Sequence, residues 1–360
     1  MTRSPIKVLI VDDSSLVRHL LSESLARSPE IEVVGTAMDP YVALDKILKL
    51  NPDVLTLDIE MPRMDGLTFL KLLMKHRPMP VVIMSSLTSA GSAYAMEALQ
   101  SGAVEVIEKP SGSSSVHEDS NRLIQTIKAA ARARITPVPA EPRAAHPEVA
   151  IARPRVSQEG ARRYDPHQVI LMGASTGGTE ALKAVLTRLS ADMPGICVVQ
   201  HIPAQFSLAF ANRLNELCAL EVREARDGDV LRPGLVLVAP GGYHLVLRKR
   251  VGGYDVVLNQ GPRVHYQRPA VDVLFSSAVK AGAGPKSMGL LLTGMGSDGA
   301  QGMLELRQAG STTVAQNEET CVVYGMPREA VRLGAAQQVL SLHSMAAHME
   351  TYADRVCLGR

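Results

Sequence analysis

Short apolar runs alternate with amphipathic stretches along the first third of the chain. The runs are mostly apolar, which is typical of strands buried on both faces of a parallel sheet. The stretches between them repeat apolar residues at the spacing of a helix. The pattern predicts strands at 6–11, 32–36, 53–57, 80–85 and 104–107, and helices near 15–27, 40–50, 65–75, 90–101 and 115–130. Five strand–helix pairs of this size predict a doubly wound α/β domain with a five-stranded parallel sheet over residues 6–127.

The same alternation resumes near residue 168. It predicts strands at 169–173, 196–200 and 289–293, and helices at 179–189, 207–217 and 300–308. Apolar runs separated by glycine-containing turns predict an antiparallel ribbon at 234–239, 244–248 and 254–258. We therefore expect a second doubly wound domain, mostly parallel and with a β-ribbon insertion, over residues 165–357.

Residues 128–164 separate the two predicted domains and have a different composition. Hydrophobic periodicity disappears there, and the stretch contains seven arginines and five prolines. This composition favours an extended, solvated linker. Between residues 128 and 163 no phenylalanine, tyrosine or tryptophan accompanies the arginines to stack on bases, so we do not expect nucleic acid to bind there.

Composition excludes several classes of protein. The 38 lysines and arginines against 36 acidic residues leave a net charge of +2, which gives no case for binding nucleic acid or an anionic membrane. The four cysteines form no CxxC pair and are expected to be reduced thiols. No stretch is apolar enough for membrane insertion, and the amino-terminal residues run into a strand without a signal peptide. The sequence therefore predicts a cytoplasmic protein.

Charged side chains end three of the first five predicted strands. Asp12 and Asp13 follow the first strand, Asp58 ends the third, and Lys109 follows the fifth. The carboxyl ends of parallel strands meet at one edge of a sheet, so we expect these groups to converge. Clustered carboxylates repel one another unless a cation lies among them. The arrangement predicts a Mg²⁺ site beside an aspartate that can be phosphorylated.

The second half carries a serine, a histidine and an aspartate, each just past a predicted strand. Ser175 lies in a G-x-S-x-G turn, His201 follows the strand 196–200, and Asp298 follows the strand 289–293. One edge of the sheet can hold all three, as a Ser–His–Asp triad requires. The glycines around Met295 could direct a backbone N–H at an oxyanion. On its own, the glycine-rich turn could equally bind phosphate at a helix N-terminus.

With these motifs, the chain resembles the CheB family of chemotaxis response-regulator protein-glutamate methylesterases over nearly all of its length. In the first half, the resemblance is carried by Asp12-Asp13, by Leu-Asp58-Ile-Glu-Met-Pro, by Met-Ser85-Ser and by Lys109-Pro. In the second half, it is carried by Gly-Ala-Ser175-Thr-Gly-Gly, Gln-His201, Gly-Met295-Gly-Ser-Asp298-Gly and Tyr-Gly-Met-Pro-Arg328-Glu.

The resemblance implies roles for residues in both halves. In the first half, a CheY-like (flavodoxin-like) receiver, Asp58 would be the phosphoacceptor, Asp12 and Asp13 would help it to hold Mg²⁺, and Ser85 and Lys109 would contact the phosphoryl group. In the second half, the roles of nucleophile, base, orienting acid and oxyanion donor would fall to Ser175, His201, Asp298 and the backbone of Met295. Receivers often have an aromatic residue three positions before the lysine, where this chain has Val106.

The resemblance also implies an activity and partners. The enzyme would be activated by phosphorylation and would hydrolyse glutamate methyl esters on the cytoplasmic helices of chemoreceptors, releasing methanol. It would also deamidate receptor glutamines. A chemotaxis histidine kinase would supply the phosphoryl group, and the ester chemistry would need no cofactor. Two alternatives stay open at this stage: a receiver-gated serine hydrolase with another acylated substrate, and a non-enzymatic module that binds a nucleotide through its glycine-rich loop.

Overall fold

The computed structural model describes residues 4–85, 89–109, 116–135 and 163–358, with the side chains of 89–93 and 116–119 left out. The chain divides into two compact units, Met1–Pro139 and Ala140–Arg360. Most of the predicted linker at 128–164 lies outside the described residues. Its first three residues, 128–130, belong to the last helix of the first unit.

The first unit is a five-stranded parallel sheet with the strand order β2-β1-β3-β4-β5. Its strands are β1 (Ile6–Val11), β2 (Ile31–Ala37), β3 (Val54–Asp58), β4 (Val81–Ser85) and β5 (Glu105–Glu108), and its helices are α1 (Ser15–Ala26), α2 (Pro40–Leu50), α3 (Gly66–His76), α4 (Ser89–Gln100) and α5 (Val116–Ala130). The prediction of a doubly wound receiver-like sheet is confirmed. The strand order reverses at β1, which is where such sheets bind their ligands.

Polar residues between strand and helix fix where three of these helices begin. The side chains of Ser14, Asp39 and Asp65 accept hydrogen bonds from backbone N–H groups in the first turns of α1, α2 and α3. Gly66 opens α3 because the chain passes very close to β3 there: a Cβ atom on Gly66 would lie 1.9 Å from the carbonyl oxygen of Asp58. The β3–α3 loop is thereby held against the predicted phosphoacceptor.

The second unit is a seven-stranded parallel sheet, order β14-β13-β12-β6-β7-β9-β8, with a separate antiparallel ribbon β10-β11. Its strands are β6 (Val169–Ala174), β7 (Gly195–Gln200), β8 (Glu221–Glu224), β9 (Leu235–Val238), β10 (His244–Arg250), β11 (Gly253–Asn259), β12 (Ser287–Leu291), β13 (Thr312–Gln316) and β14 (Gln338–Leu340). Its helices are α6 (Gly178–Leu186), α7 (Ala204–Leu217), α8 (Val271–Lys280), α9 (Ala300–Gln308), α10 (Met326–Arg332) and α11 (Leu342–Val356).

The prediction that residues 234–239 form part of the antiparallel ribbon was wrong. The run at 234–239 contains β9, which pairs in parallel with both β7 and β8 and does not join the ribbon. All four residues of β9 are buried, as expected of a strand covered on both faces. Only β10 and β11 form the ribbon. The strand order of the main sheet reverses at β6, so the loop after β6 lies at the switch point.

Candidate active site

Ser175 lies immediately after β6, in a sharp turn that leads into α6. Its backbone N–H donates to the carbonyl of Thr293 (3.0 Å), and its own carbonyl accepts from Gly178 (2.6 Å). Gly177 has a φ of 76°, and a Cβ atom there would lie 2.5 Å from a side-chain atom of Val322. The glycines therefore allow a left-handed turn against a neighbouring loop, and that turn fixes the position of the serine.

His201 connects Ser175 to Asp298. Its Nδ1 atom is 3.0 Å from the Oγ atom of Ser175, and its Nε2 atom is 2.7 Å from Oδ2 of Asp298. All three side chains are buried. A carboxylate only accepts hydrogen bonds, so Nε2 carries the proton and Nδ1 is free to accept the serine hydroxyl. The ring is reversed relative to the familiar serine-protease triad, in which Nε2 faces the serine.

Asp298 is ionised although it is almost completely buried. Burial alone would raise the pKa of this carboxyl group, but the hydrogen bond and charge of His201 and backbone N–H donors hold its pKa below the ordinary value. The donors are the first two N–H groups of α8, those of Val271 (2.7 Å) and Asp272 (2.9 Å). A helix N-terminus carries a partial positive charge, which also favours the anion.

The loop that carries Met295 lies directly against Ser175. A Cβ atom on Gly294 would lie 2.6 Å from the Cβ atom of Ser175, so only glycine allows this approach. The backbone N–H and carbonyl of Gly294 are bonded to Val323 and to the start of α10. The half-buried Met295 follows, and its N–H has no acceptor among the described residues. This loop can offer a backbone donor next to the serine.

Two polar residues of the site had no assigned role from sequence. Gln200 is buried, and its Nε2 atom donates to the carbonyls of Ser175 (2.9 Å) and His201 (3.2 Å). His265 belongs to none of the sequence motifs, and its Nε2 atom lies 3.0 Å from Oδ2 of Asp272, beside Asp298. The sequence pattern does not indicate a role for His265, because this residue does not follow a strand. It lies in a turn outside the sheet.

In the first unit, Asp12, Asp58 and Lys109 meet at the carboxyl edge of the sheet. The Nζ atom of Lys109 is 2.7 Å from Asp58 and 3.0 Å from Asp12. Burial raises the pKa of Asp58 to about 6, although Lys109 acts in the opposite direction. Oxygen atoms of Asp12, Asp13 and Asp58 lie within 4.8 Å of one another. Three carboxylates at this separation fit a small hard cation such as Mg²⁺.

The remaining predicted receiver residues lie close to this pocket. Ser85 is the last residue of β4 and is buried, and its carbonyl accepts the backbone N–H of Lys109 (3.0 Å). Val106 is buried in β5, at the usual aromatic position. The adjacent Ser86 and Pro110 lie outside the described residues.

Comparison with known proteins identifies relatives of both units. The family model described as CheB methylesterase matches residues 170–349, and the model for the response regulator receiver domain matches residues 8–121. A protein-glutamate methylesterase/protein-glutamine glutaminase of Syntrophus aciditrophicus is 53% identical over 95% of this chain and 98% of its own. One from Bdellovibrio bacteriovorus is 49% identical over 96% of both chains.

A solved structure resembles the second unit. The CheB methylesterase catalytic domain of Thermotoga maritima is 35% identical, with a TM-score of 0.50, and the match covers 51% of this chain and 98% of that domain. Within the described part of the chain, no helix is both long and apolar enough to cross a bilayer.

Proposed function

The chain belongs to the CheB methylesterase family, and on that premise we propose that Ser175 is the nucleophile, His201 the general base and Asp298 the orienting acid of its ester-hydrolysing site. The protein is a methylesterase and glutaminase that acts on protein glutamyl side chains and carries a receiver domain. The observation that carries the residue assignment is the hydrogen-bonded series Ser175–His201–Asp298, since a serine hydroxyl needs a base and the base needs an orienting carboxylate.

The reaction starts when the Oγ atom of Ser175 attacks the ester carbonyl carbon. The hydroxyl proton passes to Nδ1 of His201, and the resulting imidazolium is stabilised by Asp298. We assign the N–H of Met295 to the oxyanion that forms, because its loop adjoins Ser175. When the intermediate collapses, the carbon–oxygen bond to the methoxy group breaks, and methanol leaves with the proton from His201.

The acyl-enzyme is then hydrolysed by the reverse sequence of proton transfers. Water attacks the acyl carbon and gives a proton to His201, which returns it to Ser175 as the glutamate side chain is released. A glutamine side chain follows the same route, with ammonia leaving in place of methanol. The proposed substrates are glutamyl methyl esters and glutamines on the cytoplasmic helices of chemoreceptors, with the protein acting in the cytoplasm.

The receiver controls this activity through Asp58. Asp12, Asp13 and Asp58 would hold Mg²⁺, which when bound neutralises the charge of the incoming phosphoryl group. The carboxylate of Asp58 attacks the phosphorus atom of a phosphohistidine on a chemotaxis histidine kinase, and the imidazole leaves. Lys109 pairs with the phosphoryl oxygens and Ser85 donates its hydroxyl to one of them. The contacts of Lys109 with both buried aspartates support its part in this proposal.

The test is methanol release from membranes that carry methyl-labelled chemoreceptors. Wild-type protein should release methanol, and the Ser175→Ala variant should lose nearly all of this activity. The matched control is Ser297→Ala, which removes an exposed hydroxyl from the loop between Met295 and Asp298. A Ser175→Ala protein that is folded and as active as wild type would overturn the nucleophile assignment. Hydrolysis of simple esters without release from receptors would reject the proposed substrate but keep the hydrolase.

A further inference from the structure

Helices α8 and α9 each begin without a capping side chain of their own. Their N-cap residues are Ala270 and Gly299, and neither makes a side-chain capping hydrogen bond. The carboxylate of Asp298 accepts from the first two N–H groups of α8, at 2.7 and 2.9 Å. In return, Oδ1 of Asp272 on α8 accepts from the N–H of Gly302 in the first turn of α9, at 2.7 Å. Asp298, which precedes α9, therefore caps α8, and Asp272 of α8 caps α9.

The other carboxylate oxygen of Asp272, Oδ2, is within hydrogen-bond distance of His265. The Nε2 atom of His265 lies 3.0 Å from Oδ2 of Asp272, whose side chain is only 13% exposed against 44% for the histidine. His265 and Tyr266 have φ angles of 51° and 62°, and the flanking Val264 and Gln267 exchange backbone hydrogen bonds. A left-handed backbone is unfavourable for a non-glycine residue, because the Cβ atom comes too close to the following carbonyl oxygen. The turn that directs the imidazole at Asp272 therefore forms although both of its central residues favour other backbone conformations.

The pKa of Asp272 is raised, and its two hydrogen-bond donors oppose this shift. Burial raises the pKa of this carboxyl group, and the charge of Asp298 raises it further. The N–H of Gly302 and the ring of His265 act in the opposite direction. Removing one donor would raise the pKa of Asp272 further and would take away a hydrogen bond that orients the carboxyl group capping α9.

We infer that His265 is a positioning residue for the ester-hydrolysing site: through Asp272 it fixes the segment from Met295 to Gly302, which carries Asp298. His265 does not touch the reacting atoms in this scheme. The inference deepens the proposed function and rests on it, because the orientation of Asp298 matters to catalysis only if the Ser175 triad performs the reaction.

Loss of the contact between His265 and Asp272 should lower kcat and leave substrate affinity unchanged. If Asp272 releases Gly302, the start of α9 and the preceding loop can shift, and with them the carboxylate that holds His201. Misplacement of catalytic groups by 1 Å can cost about 100-fold in rate. A partial shift should cost about tenfold in kcat, while KM stays unchanged because no group that binds substrate has been removed.

Two substitutions of His265 distinguish the effect of its hydrogen bond to Asp272 from the effect of the left-handed turn. His265→Asn suits a left-handed backbone, but its side chain is too short to reach Asp272. His265→Gln places an N–H donor near the position of Nε2. His343→Ala, which removes an exposed histidine from α11, is the control. The experiment measures kcat and KM for methanol release by the full-length proteins, together with the unfolding temperature of each.

We expect His265→Asn to lose kcat about tenfold at unchanged KM while its unfolding temperature stays above the assay temperature, His265→Gln to recover most of the loss, and His343→Ala to match wild type. Wild-type kcat in His265→Asn, equal losses in the Asn and Gln variants, or a change in KM alone would overturn the inference. Ser175→Ala is measured alongside. If it stays active, the proposed function fails; if it is inactive while the His265 variants are normal, only this inference fails.

Discussion

The Nδ1 atom of His201 lies 3.0 Å from the Oγ atom of Ser175, so the imidazole faces the serine with the nitrogen closer to its own backbone. The other nitrogen is committed to Asp298 at 2.7 Å. The histidine follows β7 and the serine follows the adjacent parallel strand β6, whose last residue Ala174 accepts a hydrogen bond from the N–H of His201. Adjacent strand ends thus determine the separation of the two groups.

The Ser175→Ala and His201→Ala substitutions should not have additive effects. Each removes the same proton-transfer step, so the double variant should be about as slow as either single variant, with a residual acceleration of about 10³-fold over water from the oxyanion site and substrate binding. The measurement is methanol release by the three proteins at matched concentration. A double variant slower by the product of the two single effects would show that the two residues act independently.

Asp298→Asn should affect both catalysis and stability. An amide cannot hold the Nε2 proton of His201 in the required tautomer, and the corresponding change in a serine protease lowers kcat about 10⁴-fold. The amide also has one acceptor oxygen where the carboxylate uses two for the N–H groups of α8, so unfolding should cost about 1 kcal/mol less. Turnover and denaturant unfolding of the same preparation test both parts. Wild-type turnover in the variant would contradict the role of Asp298.

Gly294→Ala should lower turnover through steric displacement. The added methyl group would lie 2.4 Å from the sulfur of Met326 and 2.6 Å from the Cβ atom of Ser175, so the loop must move away from the serine. The N–H of Met295 would move with it, and loss of one oxyanion donor costs about 10²–10³-fold in kcat. Gly282→Ala is the control for an added methyl group, because a Cβ atom there meets nothing within 4 Å, although the φ of 75° at Gly282 is itself unfavourable for alanine. Equal activity in the two variants would argue against a role for this loop.

Much of the site could be predicted because parallel sheets bring strand ends to one edge. Ser175, His201 and Asp298 each follow a strand, and an apolar run that ends in a polar residue is visible in the sequence. The contacts of His265 and Asp272 were not predictable, because they depend on how a turn outside the sheet packs on the start of α8. The wrong assignment of β9 has a related cause: a short apolar run fits a ribbon or a buried parallel strand equally well.

The buried carboxyl group of Asp58 should make the stability of the receiver depend on pH. Its pKa is raised from 3.8 to about 6 in the folded chain. Between these values the folded state binds a proton that the unfolded chain does not, so the free energy of unfolding rises as pH falls from 6 towards 4. Above pH 6 the ionised group destabilises the receiver; about two pKa units correspond to about 3 kcal/mol as an upper bound.

Asp58→Asn should therefore stabilise the receiver at pH 7.5, and this advantage should shrink as pH falls through 6 to 4. Calorimetry of the full-length proteins at several pH values, with a chelator present, measures the receiver transition. Added Mg²⁺ should raise this transition more in wild type than in the variant, since an amide is a weaker ligand than a carboxylate. A constant difference between the two proteins across this pH range would show that Asp58 titrates no differently in the folded and unfolded chains.

Phosphorylation of Asp58 should stimulate ester hydrolysis, and the stimulation should depend on Mg²⁺ and Lys109. A small phosphodonor such as acetyl phosphate should raise methanol release by wild-type protein. Asp58→Asn should keep the unstimulated rate and gain nothing, because it has no carboxylate to accept the phosphoryl group. A chelator should have the same effect on wild type, since Asp12, Asp13 and Asp58 would then face the phosphodonor without a neutralising cation.

The Lys109→Met variant distinguishes phosphorylation of Asp58 from the stimulation of ester hydrolysis that follows it. The ammonium group of Lys109 contacts Asp12 and Asp58, and after phosphorylation it would pair with the phosphoryl oxygens. We expect the variant to incorporate acid-stable but base-labile phosphate from a labelled donor and yet to show little stimulation of methanol release, because the pairing that changes the receiver is missing. Full stimulation in Lys109→Met would mean that the switch works without the lysine. Stimulation in Asp58→Asn would place the phosphoacceptor at another residue.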